Sequence, residues 1–297
     1  MLAQALLSGL IMGGIYALVS IGLTLIFGVL KIVNFAHGDF VMLGMFLAYS
    51  CFRQWGLHPF NSALIAFPVF FVVGFLIERG LIEKTHRREQ DIQIILTLGI
   101  AAVIQGLCTF LFTPAFRTVT VTGLAEVVSI GSLVISKAKL FGFLAAVLFT
   151  CLFVAILKFT SLGRAVRASA DNPVGALLVG IDLPFVRSTA FALGIATVGM
   201  AGALVMPFLN VSPEVGALFT LRAFVIVVLG GMGSIQGTLA ASLCIGLLES
   251  MGAALLSDSL KQLPIFFVFV VALYLRGSGD IDPEIKSYQP SALDLRR

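Results

Sequence analysis

The stretch Leu2-Ala-Gln-Ala-Leu-Leu-Ser-Gly-Leu-Ile-Met-Gly-Gly-Ile-Tyr-Ala-Leu-Val-Ser-Ile-Gly-Leu-Thr-Leu-Ile-Phe-Gly-Val-Leu30 contains no Asp, Glu, Lys or Arg. About 20 apolar residues suffice to carry a helix across the ~30 Å hydrocarbon core of a bilayer, and this run exceeds that length. It lacks the basic leader and short apolar core of a secretory signal, so it is expected to remain as a first membrane helix.

Seven further uncharged runs follow, at residues 40–52, 54–77, 92–116, 140–157, 188–213, 223–248 and 262–275. Each is long enough, or nearly so, to span as a helix whose backbone groups satisfy one another. The 40–52 and 262–275 runs are short. The 223–248 run carries Gly230, Gly231, Gly233 and Gly237 and reads as a half-helix followed by a full one. The expected fold is an all-α polytopic membrane protein with eight or nine crossings, residues 1–276 forming the transmembrane domain and 277–297 a short polar tail.

Composition agrees. Of 297 residues 59% are apolar and 11% charged, with mean hydropathy +1.08, whereas a soluble domain is about 25% charged. This argues against a water-soluble enzyme or a nucleic-acid binder. The net charge of +4 comes from Lys and Arg dispersed through short loops, not gathered into a stripe. Placing Glu78–Asp91 in the cytoplasm puts Lys31, the 158–187 loop and the tail there too. Only Arg53, Arg117, Lys137, Lys139, Arg222 and Lys261 then lie outside, the bias expected of cytoplasmic loops. Cys51, Cys108, Cys151 and Cys244 sit singly in apolar runs and read as small buried residues instead of ligands or disulfide partners. Alternation of Val and Thr over Thr118–Thr122 marks residues 117–136 as an extended or hairpin cap on the external face.

Polar residues beside the helices are few. Asn34, His37 and Asp39 form the densest cluster. They read either as pathway or gate residues, since ionisable groups at membrane depth need a cavity or a partner, or as caps of a helix starting near Phe40. A glycine-punctuated break occurs there, at Asn34–Gly44, and again at Gly230–Gly237; paired interruptions of this kind point to a transport path. No catalytic constellation, phosphate-binding loop or metal-ligand spacing is present, and His58 and His86 fall on opposite faces. Among the apolar runs Glu249 is essentially the one acid, which argues against a coupled ion and for an external energy source; Glu249 and Gln105 read equally as interhelical bonding partners.

The loop Ser161–Asp182 is the most informative. Asn172 offers an N-cap, Pro173 suits the first helical position and Gly180 the stop. The helix so delimited has barely two turns, too few to be stable alone. It nevertheless aligns Val174, Leu177, Leu178 and Ile181, with Arg164 and Arg167 upstream, as anchors that a groove would take up.

Three motifs now fall in order: Asn34-Phe-Ala-His-Gly-Asp-Phe40 with Leu43-Gly44, Gly163-Arg-Ala-Val-Arg-Ala168, and Ala223-Phe224 leading to Gly230-Gly-Met-Gly-Ser-Ile235 with Gly237. Together they resemble the permease subunits of branched-chain amino acid ABC transporters over nearly the whole chain. The resemblance implies a type II importer permease in a bacterial inner membrane. It also implies partners: a second permease subunit, two ATP-binding subunits and a periplasmic binding protein. No cofactor is implied. It makes Asn34, His37, Asp39, Gly230, Gly231 and Gly233 the candidate path. Residues Arg164, Arg167, Val174, Ala176, Leu177, Leu178 and Gly180 become the candidate ATPase contact, although only Ala176 and Gly180 match the importer pattern Glu-Ala-Ala-x-x-x-Gly. Permeases for urea and short amides belong to the same family, and a stand-alone carrier or channel is the rival from another class.

Overall fold

The long uncharged runs become helices whose small residues, not their greasy ones, decide how they pack. Lipid tails are as apolar as leucine, so helices in a bilayer associate where backbones can come close. Helix α1 (Leu2–Leu30) and α10 (Ile235–Leu255) meet along bare Gly13 and Gly246, where a side chain on either would strike the other helix's backbone. Helix α2 (His37–Trp55) crosses α8 (Leu183–Val205) where Gly44 lies against the Gly199 backbone and Gly202 against that of Val41. The computed structural model describes residues 2–85, 90–119, 121, 123, 124, 126–130, 133–257 and 260–279.

Between these lie α3 (Pro59–Ile77), which continues through a π turn (Glu78–Ile82) and a 3₁₀ turn (Glu83–Thr85), α4 (Gln90–Phe112) and α5 (Lys137–Phe159). The short helices α6 (Ser161–Asp171) and α7 (Pro173–Leu178) precede α8, and α9 (Val215–Gly230) and α11 (Leu263–Gly279) flank α10. Six described helices are long and apolar enough to cross a membrane, and α9 and α11 are shorter apolar ones. The membrane-length stretch of α8 is buried throughout, and α1 nearly so; α3, α4 and α5 turn most of their surface outward. The core therefore sits around α1, α8, the first half of α2 and the second half of α9.

Strands β1 (Val127–Ile130) and β2 (Leu133–Ser136) pair antiparallel at one end of the bundle, close to the start of α1, where Gln4 bonds both backbone groups of Val134. The hairpin is present, but the Thr–Val alternation lies ahead of it, and Arg117 instead pairs singly with Val211. Lys137 reaches Glu126 at 2.5 Å and holds its carboxyl below the usual range through that hydrogen bond. Both ends are exposed.

Three boundaries differ from expectation because a charged residue was taken to mark a helix end, and two cysteines differ in exposure. Arg222 lies inside α9, not ahead of a helix starting at Ala223. Glu78, expected to open a cytoplasmic loop, is fully buried and accepts a hydrogen bond from Ser188 on α8. Helix α2 starts at His37, so Asp39 stands in its first turn instead of capping it. Cys151 and Cys244 lie on exposed helix surfaces, whereas Cys51 and Cys108 are buried. His86 and residues 280–297 of the tail lie outside the described residues.

Candidate functional site

Two constellations carry polar chemistry, and a glycine turn accompanies them. The first is the start of α2. After Lys31 the chain turns back into the bundle until His37 Nε2 lies 2.9 Å from the Val19 carbonyl oxygen, which at 1.5 Å per residue is about 18 Å back along α1. Non-helical backbone at such depth survives only where it is enclosed and satisfied. Ala36 N–H donates to Asn34 Oδ1 (3.1 Å), Gly38 N–H donates to Thr220 Oγ1 (2.9 Å), and that hydroxyl donates to the Phe35 carbonyl (3.2 Å). Gly38 and Gly216 have no side chains, so the first turns of α2 and α9 touch. Asp39 accepts from Gln105 Nε2 at 3.0 Å, the interhelical role read for Gln105. Asn34, His37 and Asp39 are all buried, and none lines the cavities described below.

The second glycine break is of another kind. Gly230 and Gly237 abut backbone to backbone, and Gly231 (φ 91°) and Gly233 (φ 90°) adopt conformations that L-residues avoid. This is the tight turn joining α9 to α10. The segment that matches the interruption before α2 is therefore 206–214, between α8 and α9, because it delivers α9 to the same internal junction.

The other polar constellation was legible only in part: Glu249 bonds neighbouring helices as the sequence suggested, but its partners were not identified. Arg222 Nη2 on α9 donates to Glu249 Oε1 on α10 at 2.7 Å, and Tyr16 on α1 donates its hydroxyl to Glu249 Oε2 at 2.6 Å. The guanidinium also lies over the Tyr16 ring, 5.7 Å from its centre. These three residues border a cavity of about 510 Å³ at the hairpin end of the bundle, walled by Met12, Phe116, Leu209, Val215, Leu218 and Phe219. A lone arginine with seven apolar or small residues on each side was the available signal. A second cavity, about 560 Å³, lies at the opposite end against Thr24, Gly28, Lys158, Arg167 and Gln236.

At that end α7 protrudes. Asn172 caps it by accepting the Gly175 N–H at 2.9 Å, Pro173 opens it, and Gly180 follows with φ 84°. Leu178 is 84% exposed, and Val174, Leu177 and Val179 are exposed beside it. Ala176, expected on the contact surface, is 3% exposed and faces the protein; Ile181 is half-buried. Arg164 is exposed. Arg167 instead donates to the Leu157 and Lys158 carbonyls, satisfying the end of α5.

A bundle of membrane-length helices with two internal chain breaks, cavities at opposite ends and a protruding two-turn helix has the form of a permease. The chain belongs to the family described as branched-chain amino acid transport system / permease component, whose model matches residues 5–273. It is 27% identical to the high-affinity branched-chain amino acid transport system permease protein LivH of Escherichia coli (strain K12), covering 95% of this chain and 96% of that one. It is 28% identical to the corresponding protein BraD of Pseudomonas aeruginosa, covering 95% and 97%. It is 30% identical to a probable branched-chain amino acid transport permease protein LivH of Methanocaldococcus jannaschii, covering 82% and 78%. The chain is thus an ABC transporter permease subunit of the inner membrane, not itself an enzyme.

Proposed function

We propose that this chain forms, with a second permease subunit, the path by which branched-chain or related amino acids cross the inner membrane. A periplasmic binding protein delivers the cargo and two ATPase subunits drive the cycle. The observation that carries this reading is α7: two turns too short to hold themselves, presenting Val174, Leu177 and Leu178 outward. An ATPase groove that takes up this face in one state better than another shifts the permease between outward-open and inward-open forms. Arg164 flanks that contact, while Arg167, Ala176 and Gly180 shape α7 from behind.

The gate is the junction of Asn34, His37 and Asp39, because the Val19 level where His37 bonds lies along α1 between Tyr16 of one cavity and Thr24 of the other. Gly230, Gly231 and Gly233 form the turn on which α9 and α10 move together. Buried acids are less scarce than the sequence indicated, since Asp39 and Glu78 join Glu249, so the case for an external motor rests on α7.

Reconstitution tests the reading. The complete complex in liposomes is expected to take up leucine only with ATP and binding protein. Uptake by this chain alone would establish a stand-alone carrier, and uptake of urea or short amides without leucine would reassign the cargo.

A further inference from the structure

We propose that the cavity bordered by Tyr16, Arg222 and Glu249 is a binding site for a zwitterionic amino acid with an apolar side chain. The inference rests on the transport reading for its cargo but on the cavity for its chemistry. A void of about 510 Å³ is of the size that holds small ligands. Its polar lining includes a salt bridge whose side chains are only 13% and 12% exposed. A fixed pair of opposite charges with no net charge complements a ligand that is itself a fixed pair of opposite charges.

The carboxylate would face Arg222 and the ammonium Glu249, so that neither protein charge is left uncompensated as water is expelled. The pair has capacity to spare. A guanidinium carries five N–H donors and a carboxylate about four acceptor positions. Here Nη2 serves Glu249, and the buried Nε has no partner among the described residues. Beside the pair, Met12, Leu209, Val215, Leu218 and Phe219 form an apolar wall, and Ser8, Asn210, Ser250 and Lys261 also reach the cavity. The apolar wall suits an aliphatic side chain.

The test uses the complete complex in liposomes, with Cys51, Cys108, Cys151 and Cys244 replaced by alanine and Ser250→Cys introduced in the cavity wall. A membrane-impermeant maleimide reports access to that thiol. Saturating leucine is expected to slow labelling about tenfold, the effect of ~1.4 kcal/mol of occupancy. Leucinamide, which lacks the carboxylate, and isovalerate, which lacks the ammonium, should leave the rate unchanged. Adding Arg222→Met with Glu249→Met should abolish protection while the complex still assembles. Independently, Leu218→Trp, which leaves the ion pair in place, should raise KM for leucine uptake about tenfold.

A thiol that never labels, or one that leucine fails to protect in a complex that transports leucine, overturns the site and leaves the transport reading standing. Protection by leucine in a complex that transports no branched-chain amino acid does the reverse.

Discussion

Arg222 and Glu249 meet at 2.7 Å across α9 and α10, both nearly withdrawn from solvent, and Tyr16 on α1 holds the other carboxylate oxygen. Three helices are therefore tied at one point by an ion pair and a hydrogen bond, in addition to their packing. Removing one partner leaves a buried charge uncompensated, at a cost of about 3–5 kcal/mol, whereas an apolar replacement of both is often neutral. We expect Arg222→Met to lower the melting temperature of the detergent-purified chain sharply and the double change Arg222→Met/Glu249→Met to restore most of it. Equal melting of the single and double variants would show that the pair contributes nothing as a unit.

Helix α7 should fail in two distinguishable ways. Leu177→Asp and Leu178→Asp alter exposed positions, so the purified chain should melt normally while the ATPase subunits no longer co-purify. Ala176→Asp places a charge where the side chain is 3% exposed and should instead destabilise the chain itself. Normal co-purification of the Leu178→Asp variant would remove this face from the contact.

The cap of α7 offers a milder lever. Losing a side-chain N-cap costs about 1 kcal/mol, and Asn172 supplies the one seen here. Asn172→Ala should weaken ATPase binding about fivefold without altering its stoichiometry, and Asn172→Asp should retain it. Identical affinities in a titration of the three forms would mean that α7 is held by something else.

At the α9–α10 turn, Gly231 has φ 91° and ψ 117°, a conformation that costs any side-chain-bearing residue about 1–3 kcal/mol. Gly231→Leu should reduce folded yield and leucine uptake together through this strain, not by filling a path. Wild-type yield with blocked uptake would instead support a place for Gly231 in the path.

Where the sequence spoke through composition or local rules, it was readable. The uncharged 2–30 run gave α1 to the residue, and Asn172, Pro173 and Gly180 delimited α7 because caps and turns are decided within a few positions. What it concealed was pairing over distance. Arg222 and Glu249 are 27 positions apart and Glu78 and Ser188 110 apart. A lone charge reads as a boundary until its partner is in view. Asp39 was misplaced for the related reason that its acceptor role is filled by Gln105 on another helix, 66 positions on. The glycine breaks were found, but local spacing could not tell a tight turn at 230–237 from an interrupted span at 31–36.

Helix α8 is shielded from lipid along its whole membrane length and is tied to α7 by only the four residues 179–182, with the Asp182 carboxylate bonding the Phe185 N–H at the joint. Like a crank keyed to its axle, the surface lever is joined by this short link to the centre of the molecule, as it is through α6 to the outer α5.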